Sequence, residues 1–298
     1  MSNTQQGPFI VTGASGQLGR LVLQQLMDAK VGPIIATSRS TDKLADAAAQ
    51  GVDVRQADFK DVGSLGAAFA GAKRLLIIST DSLAPGKRLA LHTNAINAAI
   101  EAGIEHIVFT SFVGPVAESP ISFATDNRDT EVALAASGIS HTILRNNMYT
   151  DMIMMAAPAS IGMGQHFAAT ADGKTGYITR ADCALAAAAA LMNETATRTL
   201  EVTGPAALSQ AEVATILSEI SGQEIPYIPI STEALTGALV GKGFPESVAE
   251  VFASFDTAIA DGLMDTTTNA MFELTGKKPT SVREFLIANK AALLAPQS

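Results

Sequence analysis

Cysteine is nearly absent. Cys183 is the only one in 298 residues, which excludes an internal disulfide and a thiolate zinc site and makes a reducing cytoplasm the expected compartment. Basic charge is also short: 20 Lys and Arg stand against 29 Asp and Glu, a formal net charge of −9. Binding to nucleic-acid phosphates needs the opposite balance, so no nucleic-acid partner is expected. One phosphorylated cofactor needs only a local cation or two. The four histidines (His92, His106, His141, His166) include no pair at helical ligand spacing, and no metal is expected. No apolar run reaches membrane-spanning length; the alanine-rich run at 184–190 is too short and its side chains too small. Residues 1–8 are polar, without the basic-then-apolar order of a signal peptide. These absences predict a soluble protein with no membrane partner.

Apolar residues are abundant, at 47% against 16% charged, enough for a large core. The length fits one two-lobed domain or two modest ones. Up to about residue 145, short β-rich runs alternate with helical patterns, the sign of parallel βαβ units. Strands are predicted at 9–12, 34–37, 52–57, 75–79, 106–110 and 141–144. Helices are predicted at 17–29, 42–50, 88–102 (stopped by Gly103) and 130–137 (stopped by Gly138). The expected fold class is α/β: a Rossmann-type, doubly wound parallel sheet with a smaller, mainly helical C-terminal lobe. Residues 1–150 with a return segment at 176–207 form the dinucleotide domain; 151–175 and 208–298 form the lid lobe. The return segment holds an Ala-rich helix over 180–192, capped by Asp182 or a neighbour, and a strand at 200–202. The Met-rich stretch at 152–155 and the stretch at 162–164 read as flexible: an adaptable pocket wall or a packed loop. An exposed face on the Ala-rich helix would make a homodimer; the same face could equally be core.

Thr12-Gly13-Ala14-Ser15-Gly16-Gln17-Leu18-Gly19 falls between the first strand and the first helix. Gly13 permits the tight turn, Gly16 lets backbone approach a pyrophosphate, and Gly19 lets helix and strand pack closely. The helix start offers free N–H groups to the phosphate. The second strand should end at the adenosine ribose, where an acid would read the 2′-hydroxyl of NAD. Here Thr37-Ser38-Arg39-Ser40 stands instead, with Lys43 one turn on, so a 2′-phosphate and NADPH are expected. The alternative for Arg39 is a solvated loop residue. Asp58 and Phe59 after the third strand, Ser79 and Thr80 after the fourth, and Thr110 and Ser111 ending the fifth would line the ligand crevice.

The stretches TGASGQLG, GVDVRQADFKD, INAAIEAGIEHIVFTS, ILRNNMYTD, ITRADCALAAAAAL and SEISGQEIPY together resemble the atypical short-chain dehydrogenase/reductases of the NmrA-like group. Within it, the look is that of the bacterial NADPH-dependent quinone oxidoreductase and triphenylmethane reductase branch. The resemblance spans nearly the whole chain. It implies a Rossmann domain, a smaller lobe, a cleft between them, and NADPH as hydride donor.

One departure shapes the expected chemistry. Counting back from Glu131, the Y-x-x-x-K-x-x-x-E spacing of extended members places the catalytic pair at Phe123 and Asn127, so phenol and ammonium are both missing. A ketone then lacks its evident proton donor. A quinone takes hydride to give a phenolate-type anion, and a dye cation needs no proton; both suit a site that works by placement. Asn146 and Asn147 are expected to bond the nicotinamide amide or the acceptor oxygen, and Asn127 to inherit the ribose-orienting place. Ser111 would donate to a bound oxygen or cap its strand. Tyr149 could stack on a ring, supply the phenol or simply pack. Phe112, Phe123 and Met148 would form an apolar wall. Arg180 and Asp182 read as a salt-bridged helix start, His92 as a helix-face residue and Cys183 as packed. The expected activity is NADPH-dependent hydride transfer to a quinone or similar flat, electron-poor small molecule. The alternatives are a non-catalytic NADP-sensing regulator of NmrA type, and a carbonyl or imine reductase using Tyr149 as acid.

Overall fold

The computed structural model describes residues 7–295; residues 1–6, which carry most of the signal-peptide expectation, lie outside them. The chain runs β1 (Phe9–Val11), α1 (Gln17–Asp28), β2 (Ile34–Ser38), α2 (Ala45–Ala49), β3 (Asp53–Gln56), α3 (Val62–Phe69), β4 (Arg74–Ile78), α4 (Lys87–Glu101), β5 (His106–Phe112), α5 (Ala124–Ala136) and β6 (Ser140–Asn146). It continues through α6 (Ala157–Met163), β7 (His166–Ala168), β8 (Lys174–Thr175), α7 (Arg180–Asn193), β9 (Arg198–Val202), β10 (Leu208–Ser209), α8 (Gln210–Ser221) and β11 (Tyr227–Pro229). It closes with α9 (Thr232–Gly241), α10 (Glu246–Ala260), α11 (Ala270–Thr275), α12 (Val282–Ala288) and α13 (Lys290–Leu293).

Seven parallel strands form one sheet in the order β3-β2-β1-β4-β5-β6-β9. The strand direction of travel reverses between β1 and β4, and in such sheets the ligand crevice opens there, beyond the carboxyl ends. Side chains alternate across the sheet. Val11, Ala36, Leu76 and Val108 join Val22, Leu26 and the alanines of α7 in one core. Ile10, Ile35, Leu75 and Ile107 join Leu65, Phe69, Ile96 and Leu134 on the other face. Both faces are therefore covered, as the continuous apolar strands required.

The Ala-rich face of α7 is core. Cys183, Ala184 and residues 186–191 are buried against α1 and the sheet, which removes the ground for expecting a homodimer through it. The small side chains let two helices approach closely. Thr179, a neighbour of Asp182, is the N-cap: its hydroxyl accepts from the Asp182 amide. Burial raises the Cys183 thiol pKa well above its ordinary value, in keeping with a packing role.

Several boundaries differ from the sequence reading. Helix α3 was not foreseen because Gly63 and Gly66 lower its local helix propensity. Helix α5 begins at Ala124 rather than Thr130, since its first turns carry Asp126 and Asn127, polar residues that are nonetheless buried. The stretch expected to be flexible forms a 3₁₀ turn (Thr150–Met155) and α6, which Gly164 ends at φ +68°. Helix α11, assigned to the lobe, packs on α7 and puts Met271 into the first core. The rest of the lobe has its own core around Val213, Leu217 and Leu286. A smaller cluster joins Ala258 and Ile259 of α10 to Val113, Ile121 and Phe123 of the sheet domain.

Candidate active site

The turn after β1 is built for close approach. Gly13 has φ +58°, a conformation side chains disfavour, and its carbonyl accepts from the Gly16 amide. A Cβ on Gly19 would lie 2.3 Å from that same carbonyl, so only glycine lets α1 pack there. The amides of Gln17 and Leu18, in the first turn of α1, have no partner among the described residues and are available to an anion. Leu18's side chain belongs to the core, so only its backbone serves. Thr12 is buried; its hydroxyl donates to the Leu76 carbonyl and accepts from the Ile78 amide, tying β1 to β4 rather than facing a ligand.

A cleft of about 410 Å³ opens beside this turn, lined by Gly13, Ser15, Gly16, Ser38, Arg39, Asp58, Phe59, Ser79 and Thr80 among others. Ser15 and Ser38 hydroxyls meet at 2.8 Å, and Ser38 accepts the Ser40 amide, which shapes the segment carrying Arg39. Arg39 is exposed in the cleft, with no hydrogen bond or ion pair to any described residue. Lys43 does not line the cleft; its carbonyl is held at 2.6 Å by Arg20, which also bonds the Ser15 carbonyl and so braces the turn. Two lysines the sequence reading did not single out, Lys60 and Lys87, stand at the rim. Asp58 accepts the Lys60 amide at 3.0 Å, and the Phe59 carbonyl is fixed by Asn94.

The far wall is set by α4 and α5. Asp126, buried, accepts from the amides of Gly86 and Arg88 at 2.8 and 2.9 Å, capping an α4 start that has no cap of its own. The Arg88 guanidinium lies 3.9 Å over the Phe123 ring, with Nε donating to the Ser82 carbonyl and Nη1 to the Ser79 hydroxyl. Burial lowers its pKa to about 10, with Asp126 and Asp81 opposing, so it is charged at neutral pH. His92 Nε2 accepts from the Thr80 amide. Its Nδ1–H donates to the Thr130 hydroxyl, which itself donates to the Asp126 carbonyl. That chain fixes a neutral tautomer, and burial, helped by Arg88, lowers the His92 pKa to about 3. Thr110 accepts from the Ser79 amide, so it shapes the end of β4. Asn127 is buried, with its oxygen 3.5 Å from the Ser79 hydroxyl.

Three residues expected at the reacting end are committed elsewhere. Ser111 donates to Glu131 at 2.6 Å, and Glu131 is held by Arg145. Asn147 donates to the Met264 carbonyl and accepts the Met148 amide, stapling the lobe to the end of β6. Tyr149 packs against the first core with Arg180 stacked on its ring at 4.8 Å; burial, then Cys183, push its phenol well above the ordinary value. Its ring therefore packs outside the cleft lining, with the hydroxyl bonded to the Asn146 side chain. Asn146 is only half committed: its side chain bonds the Tyr149 hydroxyl, while its Oδ1 is buried with no partner among the described residues. Arg180 pairs with Asp151 at 2.9 Å, the salt-bridged helix start the sequence suggested. At the end of β5, the rings of Phe112, Phe123 and Phe255 meet pairwise at 5.7–5.8 Å, with Met148 packed in the same cluster.

A glycine turn opening on free helix amides, a sheet switch point and an unpaired guanidinium past β2 define a Rossmann dinucleotide-binding protein. The NAD(P)H-binding family model matches residues 13–194, and the chain belongs to that family. It is 35% identical over 277 residues to quinone oxidoreductase 2 of Escherichia coli (strain K12), covering 92% of this chain and 96% of that one. The crystal structure of the Escherichia coli NADPH-dependent quinone oxidoreductase with NADPH superposes with a TM-score of 0.88 at 35% identity, over 94% of this chain and 98% of that chain. The Citrobacter sp. triphenylmethane reductase complexed with NADP(H) gives 0.89 at 35% identity, over 95% and 100%.

Proposed function

We propose that the protein is an NADPH-dependent oxidoreductase that transfers hydride to a quinone or a similar flat, electron-poor acceptor. The observation that carries this is the corner formed by Phe112, Phe123 and Phe255, where a reductase of ketones would need an acid and this chain has phenyl rings. Gly13, Gly16 and the first amides of α1 would hold the diphosphate, and Arg39 with Ser38 the 2′-phosphate. Asn146, whose Oδ1 has no partner among the described residues, and the linked pair Asn127 and Ser79 would orient the nicotinamide end. NADPH, when bound, supplies the hydride. The acceptor becomes a hydroquinone monoanion, whose conjugate acid titrates near 10, so water completes the protonation. The relatives named for quinones and triphenylmethane dyes act on acceptors of this flat type. The cytoplasm is the proposed compartment, since a single buried thiol suits a reducing one.

The test is a spectrophotometric screen of quinones, dyes and simple ketones, with NADPH and NADH side by side. Oxidation of NADPH by quinones with none by ketones is expected. Tight NADP⁺ binding with no turnover on any acceptor would instead make the protein a sensor.

A further inference from the structure

We propose that Arg88 sets the charge class of the acceptor: its guanidinium, seated behind Phe123, favours quinones, which gain negative charge on reduction, over triphenylmethane dyes, which arrive as cations. This deepens the reading above and rests on it.

Arg88 is 8% exposed, and its guanidinium covers a face of the ring that stands where a catalytic tyrosine would be. Its Nη1 reaches the Ser79 hydroxyl, which in turn lies beside Asn127, at the place of the missing lysine. The cation absent from α5 is thus supplied from α4. Its Nη2 has no hydrogen-bond partner among the described residues. Two anions offset part of this charge: Asp126, whose oxygens accept from the amides of Gly86 and Arg88, and Asp81, which is exposed and screened by solvent. His92, also packed here, is neutral, and Lys87 at the rim carries the same sign as Arg88.

The reaction gives this charge something to act on. Hydride carries two electrons and one proton to the quinone; the cofactor becomes NADP⁺, the quinone becomes its hydroquinone monoanion, and a proton from water follows. A cation behind the ring that would face the acceptor favours the anion as it forms and disfavours a dye cation before reaction. The whole molecule, at −9, would by itself draw cations in, so a preference for anions needs a local source.

The experiment compares 1,4-naphthoquinone with malachite green in the wild type, Arg88→Met and Arg88→Lys, each with its NADPH dissociation constant measured by fluorescence. The ratio of kcat/KM, quinone over dye, measured with NADPH saturating each variant, should fall at least about tenfold in the Met variant and stay within about threefold in the Lys variant. A second readout needs no variant. Against naphthoquinone turnover in the wild type, 1-naphthoate should inhibit at least about tenfold more strongly than 1-naphthylmethylammonium. An unchanged ratio in Arg88→Met, or equal inhibition by the two charge forms if that variant does not fold, overturns the proposal while quinone reduction itself stands. A wild type that reduces no quinone removes the underlying reading instead.

Discussion

At the scale of single residues, the glycine turn was legible because its parts are local: a strand end, a turn and a helix start follow one another directly in the chain. Arg39→Ala should weaken NADPH binding roughly ten- to a hundredfold, the worth of a charge-assisted contact, and leave NADH nearly unchanged. Calorimetry with both cofactors checks it. Gly19→Ala forces a Cβ onto the Gly13 carbonyl, and should lower the melting temperature and abolish cofactor binding together. Asn147 was misread because its partner, Met264, lies 117 positions on and no spacing announces it. Asn147→Leu should cost about 1–3 kcal/mol through the groups left unpaired, seen as a lower midpoint in urea. The surroundings of Tyr149 were hidden for the same reason: only the fold shows that its ring packs against the α7 core.

At the scale of elements, α4 is the least expected part of the site. Lys87 and Arg88 open a helix at the end where its dipole disfavours positive charge, and Gly86 offers no side-chain cap. Asp126 of α5 resolves that local conflict by accepting the amides at the helix start. The same helix carries His92, whose pKa of about 3 lies below the 6.5 of an unperturbed histidine, and His106 on β5 is likewise lowered by burial to about 4. Because the unfolded chain binds protons that the folded one refuses, their contribution to stability is complete above pH 6.5 and declines as pH falls toward 4. Each should add a slope of about 1.4 kcal/mol per pH unit in that window. Denaturant midpoints measured across it should decline less steeply in His92→Gln; an identical slope would show that His92 is not held neutral.

At the scale of the molecule, the sheet could be read strand by strand because a doubly covered parallel sheet writes itself as apolar runs separated by helices. The lobe could not. Its helix α10 forms one wall of the aromatic corner by packing on residues far away in the chain, and Phe255 gave no signal of its own. The sheet brings the cofactor turn, Arg39 and the acid-free aromatic corner to one edge, and the account stands on hydride crossing between them. A single-turnover reaction of enzyme, NADPH deuterated at the transferred C4 position, and 1,4-naphthoquinone tests it most directly. One NADPH should be consumed per hydroquinone formed, more slowly with the deuterated cofactor, and at least about tenfold more slowly with NADH at limiting concentration. NADPH that binds and persists unoxidised beside the quinone would contradict it.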